Sequence, residues 1–250
     1  MSGETRVTRG RSSAPAEGAA VVRDAVMRRL LGGVRAVGFD LDGTLIDTVP
    51  DLEAAANTML GLIGAPKLAP GRVRELVGDG IAALVQRVLR ESPGERTIGL
   101  PTEETALDLF RSLYGQRLFD RSRVYPHVQE MLEVLARSGL VLGCITNKDG
   151  SLAQPLLAAA GLTRWLSFCL TPENSAQRKP EPYLLTAAAE RLHLSAAQLL
   201  YVGDMRTDIE AARAAGCPVV AVSYGYHSGA PLSAFQPDAV IDSLEEPYDL

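Results

Sequence analysis

"VRAVGFDLDGTLIDT", residues 34–48, begins as a strand and does not end as one. Its apolar run stops at Asp40, a second carboxylate follows at Asp42, and Gly43 permits a turn that other residues resist. In an extended chain residues two apart face the same way, so both carboxylates can address one pocket. Two acids a few ångströms apart repel each other unless one is protonated or a cation lies between them. A divalent cation with oxygen ligands meets that need, and Mg²⁺ suits few carboxylates combined with a phosphate. A plain Asp-Gly turn closing a strand accounts for the same residues, and the stretch taken alone leaves both readings open. A calcium EF-loop does not fit, because the further oxygen ligands and the closing Glu do not follow at the required spacing.

Further along the chain, apolar runs of strand length recur at 140–145, 199–202, 219–222 and 239–241, adding to the one at 34–39. Helical patterns fall at 127–138, 151–160, 182–192 and 207–215. This alternation predicts a parallel sheet covered on both faces, an α/β, Rossmann-like doubly wound core. Polar residues recur where the strands stop. The run at 140–145 gives way to Thr146-Asn147-Lys148, and the run at 199–202 to Gly203-Asp204, with Asp208 one helical turn on. Such ends lie side by side in a parallel sheet, so their shared polarity points to a site more strongly than any single turn does. Residues 178–182 read "RKPEP". The proline biases Lys179 towards extended geometry, and Pro180 or Pro182 can open the next helix, which places an ammonium near a helix N-terminus where an anion is favoured. One loop lysine by itself is ordinarily a solvated charge.

Residues 50–120 break the alternation, with helical stretches and no convincing strand. Thr102 is a plausible N-cap within it. A normal βα connection runs only ~2–6 residues, so this segment reads as a helical subdomain over the carboxyl edge of the sheet, where ligands bind and a lid would sit. The expected organisation is an α/β core from 33–48 and 122–250, a helical cap at 49–121, and a flexible N-terminal extension at 1–32. The extension is rich in Gly, Ser, Arg and Ala, and a short helix is conceivable at 21–31.

Composition narrows the function. A formal charge of -5 argues weakly against a nucleic-acid surface. No window offers the roughly 18 consecutive apolar residues of a membrane span. Arg28-Arg29 is followed by "LLGGVRAVGFDLDG" rather than by an uninterrupted apolar segment and cleavage site, which speaks against export. Cys144, Cys169 and Cys217 show no paired spacing and read as reduced core residues of a cytoplasmic protein. With three scattered histidines and no Cys/His cluster, zinc is not expected. Monomer and homodimer both stay open.

The four elements in their order, "DLDGT", Thr146-Asn147, Lys179 before its proline and "GDMRTD", resemble the haloacid dehalogenase superfamily of aspartate-nucleophile phosphatases. The resemblance spans residues 34 to 245, and the insertion resembles the superfamily's helical cap. "LVGDG", "TNK", "AARAAGCPVVAVSYGY" and "PDAVIDS" resemble the bacterial phosphoglycolate phosphatases within it. The resemblance implies a Mg²⁺-dependent hydrolase of a small phosphorylated substrate. Asp40 would be the nucleophile and Asp42 the general acid and base. The Asp40 side chain, the Asp42 carbonyl and Asp204 would hold the metal, with Asp208 in support. Thr146 and Lys179 would bind phosphoryl oxygens, with Gly43 and Asn147 in the substrate pocket.

Gly78-Asp79-Gly80 is the candidate loop for the carboxylate of 2-phosphoglycolate, since glycines let backbone N–H groups approach closely; a helix–helix turn explains it equally. Asp79 would repel the substrate unless turned away. Arg72 and Arg74 are either anion partners or solvated. A dehalogenase would not need Asp42 or the magnesium acids. A sugar-phosphate mutase of the β-phosphoglucomutase type, another small-molecule phosphatase and a non-catalytic binding module are the alternatives.

Overall fold

The computed structural model describes residues 32–92 and 102–244. The expected extension at 1–32 and the helix conceived at 21–31 lie outside the described residues, apart from Gly32. The strands are Ala36–Phe39 (β1), Ile46–Asp47 (β2), Arg123–Val124 (β3), Val141–Ile145 (β4), Phe168–Leu170 (β5), Leu199–Gly203 (β6), Val219–Val222 (β7) and Ala239–Ile241 (β8). The α-helices are Val49–Leu62 (α1), Ile81–Glu91 (α2), Glu103–Gly115 (α3), Val128–Arg137 (α4), Gly150–Ala159 (α5), Tyr183–Arg191 (α6) and Arg206–Ala215 (α7).

Among the described residues, six strands form one sheet in the order β5-β4-β1-β6-β7-β8, parallel throughout. The central strands β1, β6 and β7 are buried along their whole length, which is why they read as continuous apolar runs. Alternation sorts their side chains between two helical layers. Val37, Phe39, Leu142, Cys144 and Val202 pack with α4 and α5. Ala36, Ile145, Leu199, Tyr201 and Val219 pack with α6 and α7. Each large apolar side chain so buried contributes about 1.5–3 kcal/mol. β1 has β4 and β5 on one side and β6 to β8 on the other, so its carboxyl end lies where the strand order reverses, the crevice such sheets use for ligands. Phe39 is in register with both Cys144 and Val202, so Asp40, Thr146 and Asp204 leave the sheet at neighbouring points.

The described residues between β2 and β3 form helices and have a core of their own. In α2 the residues Ile81, Leu84, Val85 and Val88 recur at helical spacing and bury one face against Met59 and Leu60 of α1 and Phe110 of α3. Thr102 caps α3, its hydroxyl accepting from Thr105 N–H. From the α/β layer, Leu152 and Tyr226 reach into this second core.

Three short strands escaped the sequence. β2 and β3 pair antiparallel, Ile46 with Val124 and Asp47 with Arg123, and so clamp together the two points where the chain enters and leaves the helical segment. A pair this short shows no periodicity. β5, three residues on the sheet edge, carries too little apolar length to stand out. The expected helices are otherwise displaced by about one residue at their ends, the ordinary play of helix termini. One cysteine expectation needs adjustment: Cys144 and Cys169 are register partners on β4 and β5, and Cys169 is half-buried rather than core. All three cysteines are free thiols. Among the described residues no helix is long and apolar enough to cross a membrane.

Candidate active site

Asp40, Asp204 and Asp208 each place a carboxylate oxygen within 4.8 Å of the others, and all three are buried. Local structure explains the convergence. Asp40 continues β1, with its N–H bonded to Val202 O at 2.9 Å. Asp204 follows β6, where its Oδ1 accepts from Thr44 Oγ1 at 2.8 Å and its Oδ2 from Tyr226 N–H at 2.6 Å. Asp208 sits in the first turn of α7, accepting through Oδ2 from the N–H groups of Asp204 and Met205 at 3.1 and 2.9 Å. It thereby satisfies helix-end donors and fixes the Asp204 loop. Gly43 takes φ +88°, and a Cβ there would run into the Asp204 carboxylate. A side chain at this position would therefore be excluded twice, by backbone conformation and by contact.

Lys179 is 3% exposed, a burial only partners can support. Its Nζ lies 2.6 Å from Asp208 Oδ1 and 2.9 Å from Asp40 Oδ1, and donates to Tyr201 Oη at 2.7 Å. Burial alone would lower its pKa, but Asp208 and Asp40 outweigh burial and raise it. Burial pushes the Asp40 carboxyl up to about 6, with Lys179 opposing and Asp208 adding to the rise. The Asp204 carboxyl is raised well above the usual range by burial, then by Asp208 and Asp40. These carboxylates crowd one another more than a single ammonium relieves. Asp40 Oδ1 is close enough to Lys179 for an ion pair but not aligned for a hydrogen bond, and it has no other partner. An orphaned buried carboxylate oxygen facing two further carboxylates fits a hard divalent cation such as Mg²⁺.

Asp42 is half-buried and faces a different set of groups. Its Oδ1 accepts from Thr48 Oγ1 at 2.6 Å, and Lys148 Nζ lies 2.9 and 3.1 Å from its two oxygens. Lys148 is 3% exposed and stands 4.7 Å over the ring of Tyr114 from α3. Burial disfavours its charge, yet Asp42 and Tyr114 together raise its pKa. Asn147 ties three segments together: Nδ2 donates to Gly78 O and Lys179 O, and Oδ1 accepts from Lys179 N–H.

Asp40, Asp42, Asn147 and Lys148 open onto a cleft of about 430 Å³, part of it open to solvent. Asp40, Asp42, Thr146, Asn147, Lys148 and Met205 form one wall; Leu52, Val77, Gly78, Gly80, Ile81 and Leu84 form the other. Both glycines of the 78–80 loop take positive φ, +136° and +85°. The side chain between them is turned away: Asp79 pairs with Arg87, and its carbonyl accepts from Arg178 Nη1 at 2.9 Å. Neither arginine considered from the sequence lines the cleft. Arg72 pairs with Glu75 and Glu91, and Arg74 donates to the carbonyls of Tyr224 and Gly225 while covering the Tyr226 ring.

Three contributors were given no individual role in the sequence reading, although Lys148 was counted in the polar run that ends its strand. Lys148 directly follows Thr146-Asn147; the polar run placed it at the site, and its pairing with Asp42 is what the run did not give. Thr48 closes the opening stretch, six residues after Asp42. Tyr226 donates its N–H to Asp204, and its hydroxyl accepts from the N–H groups of Thr48 and Val49 at the start of α1, at 2.5 and 3.1 Å. No local pattern announces that role.

The model of the family described as haloacid dehalogenase-like hydrolase matches residues 37–222. A phosphoglycolate phosphatase of Chromobacterium violaceum is 40% identical over 217 residues, covering 87% of this chain and 96% of that one. The Escherichia coli K12 phosphoglycolate phosphatase is 36% identical over 228 residues, 85% and 90% of the two chains. Among solved structures, a predicted phosphoglycolate phosphatase from Haemophilus somnus superposes with TM-score 0.79 at 33% identity, over 85% of this chain and 95% of the other.

Proposed function

The chain belongs to the haloacid dehalogenase-like hydrolases, and from that premise we propose that it is a Mg²⁺-dependent phosphomonoester hydrolase that converts 2-phosphoglycolate to glycolate and phosphate. The helical segment at 49–121 acts as a cap over a core made of 33–48 and 122–250. The observation that carries this reading is the meeting of Asp40, Asp204 and Asp208 within 4.8 Å, with an orphaned oxygen on Asp40.

The Asp40 side chain, the Asp42 carbonyl and Asp204 would hold Mg²⁺, with Asp208 bracing Asp204. When bound, Mg²⁺ neutralises charge between carboxylate and phosphate and orients both. Asp40, fixed at the end of β1, attacks phosphorus in line with the ester oxygen. An acyl phosphate, joining an Asp40 carboxylate oxygen to phosphorus, forms as the bond between phosphorus and the glycolate oxygen breaks, and Asp42 gives a proton to the departing oxygen. In the second half, Asp42 takes a proton from water as that water attacks phosphorus, which returns Asp40 as a carboxylate and releases phosphate. Thr146 and Lys179 bind the phosphoryl oxygens while charge shifts among them. Asn147 keeps Lys179 and the Gly78 loop in mutual register.

The cap wall also favours a small substrate. Leu52, Val77, Ile81 and Leu84 offer no hydrogen bonds to sugar hydroxyls, and Gly78 and Gly80 offer only backbone. A mutase acting on a hexose phosphate would need more. Phosphate release measured with Mg²⁺ across 2-phosphoglycolate, a hexose 1-phosphate and p-nitrophenyl phosphate tests this reading. The expected result is the highest kcat/KM for 2-phosphoglycolate and loss of activity with a chelator. Isomerised sugar phosphate as the main product would overturn it.

A further inference from the structure

Phosphoryl chemistry at the strand ends engages Lys179, which is held by Asp40 and Asp208. Lys148 is not among the groups assigned above to phosphate or metal, yet it is buried in the wall of the same cleft. Burying an ion pair gives little net stability, because desolvation offsets the attraction. The Lys148–Asp42 pair is therefore poorly explained as a structural device. Its position offers another explanation. Among the described residues lining the cleft, Lys148 is the single cationic side chain, and the opposite wall is apolar or glycine.

We infer that Lys148 is the specificity-determining residue for the substrate's second anion, a carboxylate on the carbon that bears the phosphate ester. The inference rests on the reading of the protein as a 2-phosphoglycolate hydrolase and gives that reading its recognition group. Asp42 must address the ester oxygen to protonate it, and Lys148 Nζ lies 2.9 and 3.1 Å from the oxygens of Asp42. In 2-phosphoglycolate one methylene separates the ester oxygen from the carboxylate. The carboxylate therefore falls within reach of the ammonium once the ester oxygen sits at Asp42. An ammonium has three donors, enough for Asp42 and a second carboxylate together. Carbonyl groups on the facing loop are already engaged, Gly78 O by Asn147 and Asp79 O by Arg178, and Asp79 itself is turned to Arg87, which keeps acceptors and negative charge away from the incoming anion. A longer substrate would place its distal anion beyond Lys148, against Ile81 or Leu84.

The test compares 2-phosphoglycolate with ethyl phosphate, which has nearly the same size and no carboxylate, on the wild-type protein, Lys148→Met and Thr48→Val. Lys148→Met is expected to lower kcat/KM for 2-phosphoglycolate of order 10- to 100-fold more than for ethyl phosphate, the scale of a lost charged hydrogen bond. Thr48→Val removes the hydroxyl that holds Asp42 and touches Tyr226 Oη at 3.5 Å, leaves Lys148 in place, and is expected to lower both substrates by the same factor. Equal losses in Lys148→Met would make Lys148 a positioning residue for Asp42 and overturn the inference, while a wild-type preference for 2-phosphoglycolate would stand. A wild-type protein that hydrolyses both esters equally would remove the substrate reading and this inference together. Should Lys148→Met fail to fold, Lys148→Arg carries the comparison. It keeps the charge but moves it outward on a planar head, and is expected to penalise 2-phosphoglycolate more than ethyl phosphate; equal penalties overturn the inference.

Discussion

The two walls of the cleft are built on different principles. On the core side, charged and polar groups in the wall and next to it are held by directed bonds: Asp42 by Thr48 and Lys148, Asp204 by Thr44 and Tyr226, Asp208 by two backbone N–H groups, Lys179 by Asp208 and Tyr201. On the side of the helical segment, proposed above as a cap, the wall is aliphatic side chain and glycine, held by packing within a second core. The core wall keeps charges where water would otherwise scatter them, at the cost of raised carboxyl pKa values. The cap wall excludes water and limits substrate size. Reaction type should then follow the first wall and substrate range the second.

The sharpest way to break this division is Asp40→Asn. Turnover should fall by at least about a thousandfold, the scale seen when a nucleophile is removed, while the circular dichroism spectrum stays unchanged. The melting temperature of the metal-free protein should not fall, since one of three crowded carboxylates has become neutral. Asp204→Asn comes next. It should cost about a hundredfold or more in kcat/KM and abolish the rise in Tm that Mg²⁺ gives the unaltered protein, read by scanning calorimetry with and without the ion. A cap substitution should act differently. Gly78 has φ +136°, and an added Cβ would stand 2.8 Å from Met205 Sδ, so Gly78→Ala should raise KM about tenfold and leave kcat within about threefold. A fall in kcat equal to that of Asp204→Asn would erase the distinction between the walls.

The smallest effect concerns pH. The folded Asp40 carboxyl lies at about 6 against an ordinary 3.8, so between those values the folded protein holds a proton that the unfolded chain lacks. Stability of the metal-free protein from this group therefore rises as pH falls through 6, by at most ~3 kcal/mol. A Tm a few degrees higher at pH 5.5 than at pH 7.5, with a flatter profile in Asp40→Asn, is the expected outcome. Adding Mg²⁺ should reduce the slope, because a bound cation requires the carboxylates ionised.

The same division accounts for what the sequence made legible. Core strands buried on both faces write themselves as apolar runs, and an acid or a hydroxyl at the end of such a run stands out; Asp40, Thr146 and Asp204 are readable for that reason. Parallel topology then predicted that the ends would meet. Asp208 and Lys179 became readable through spacing and a neighbouring proline. The cap gave its helices but not its surface, since a leucine facing substrate and one facing the cap core are the same letter. The neck formed by β2 and β3 was too short for any pattern, and Tyr226 acts across 178 residues of chain, with its hydroxyl on Thr48 N–H. Lys148 was visible as a letter, but its burial beside Asp42 depends on Tyr114, 34 positions earlier and in the cap.

The central claim is that Asp40 is the group that takes up the phosphoryl moiety. Acid quenching of the protein during steady-state turnover of 2-phosphoglycolate with Mg²⁺, followed by peptide mass spectrometry, addresses it directly. The account predicts one hydroxylamine-labile phosphoryl group on the peptide containing Asp40, absent from Asp40→Asn. A phosphoryl group on any other residue, or on the same peptide in Asp40→Asn, would contradict it.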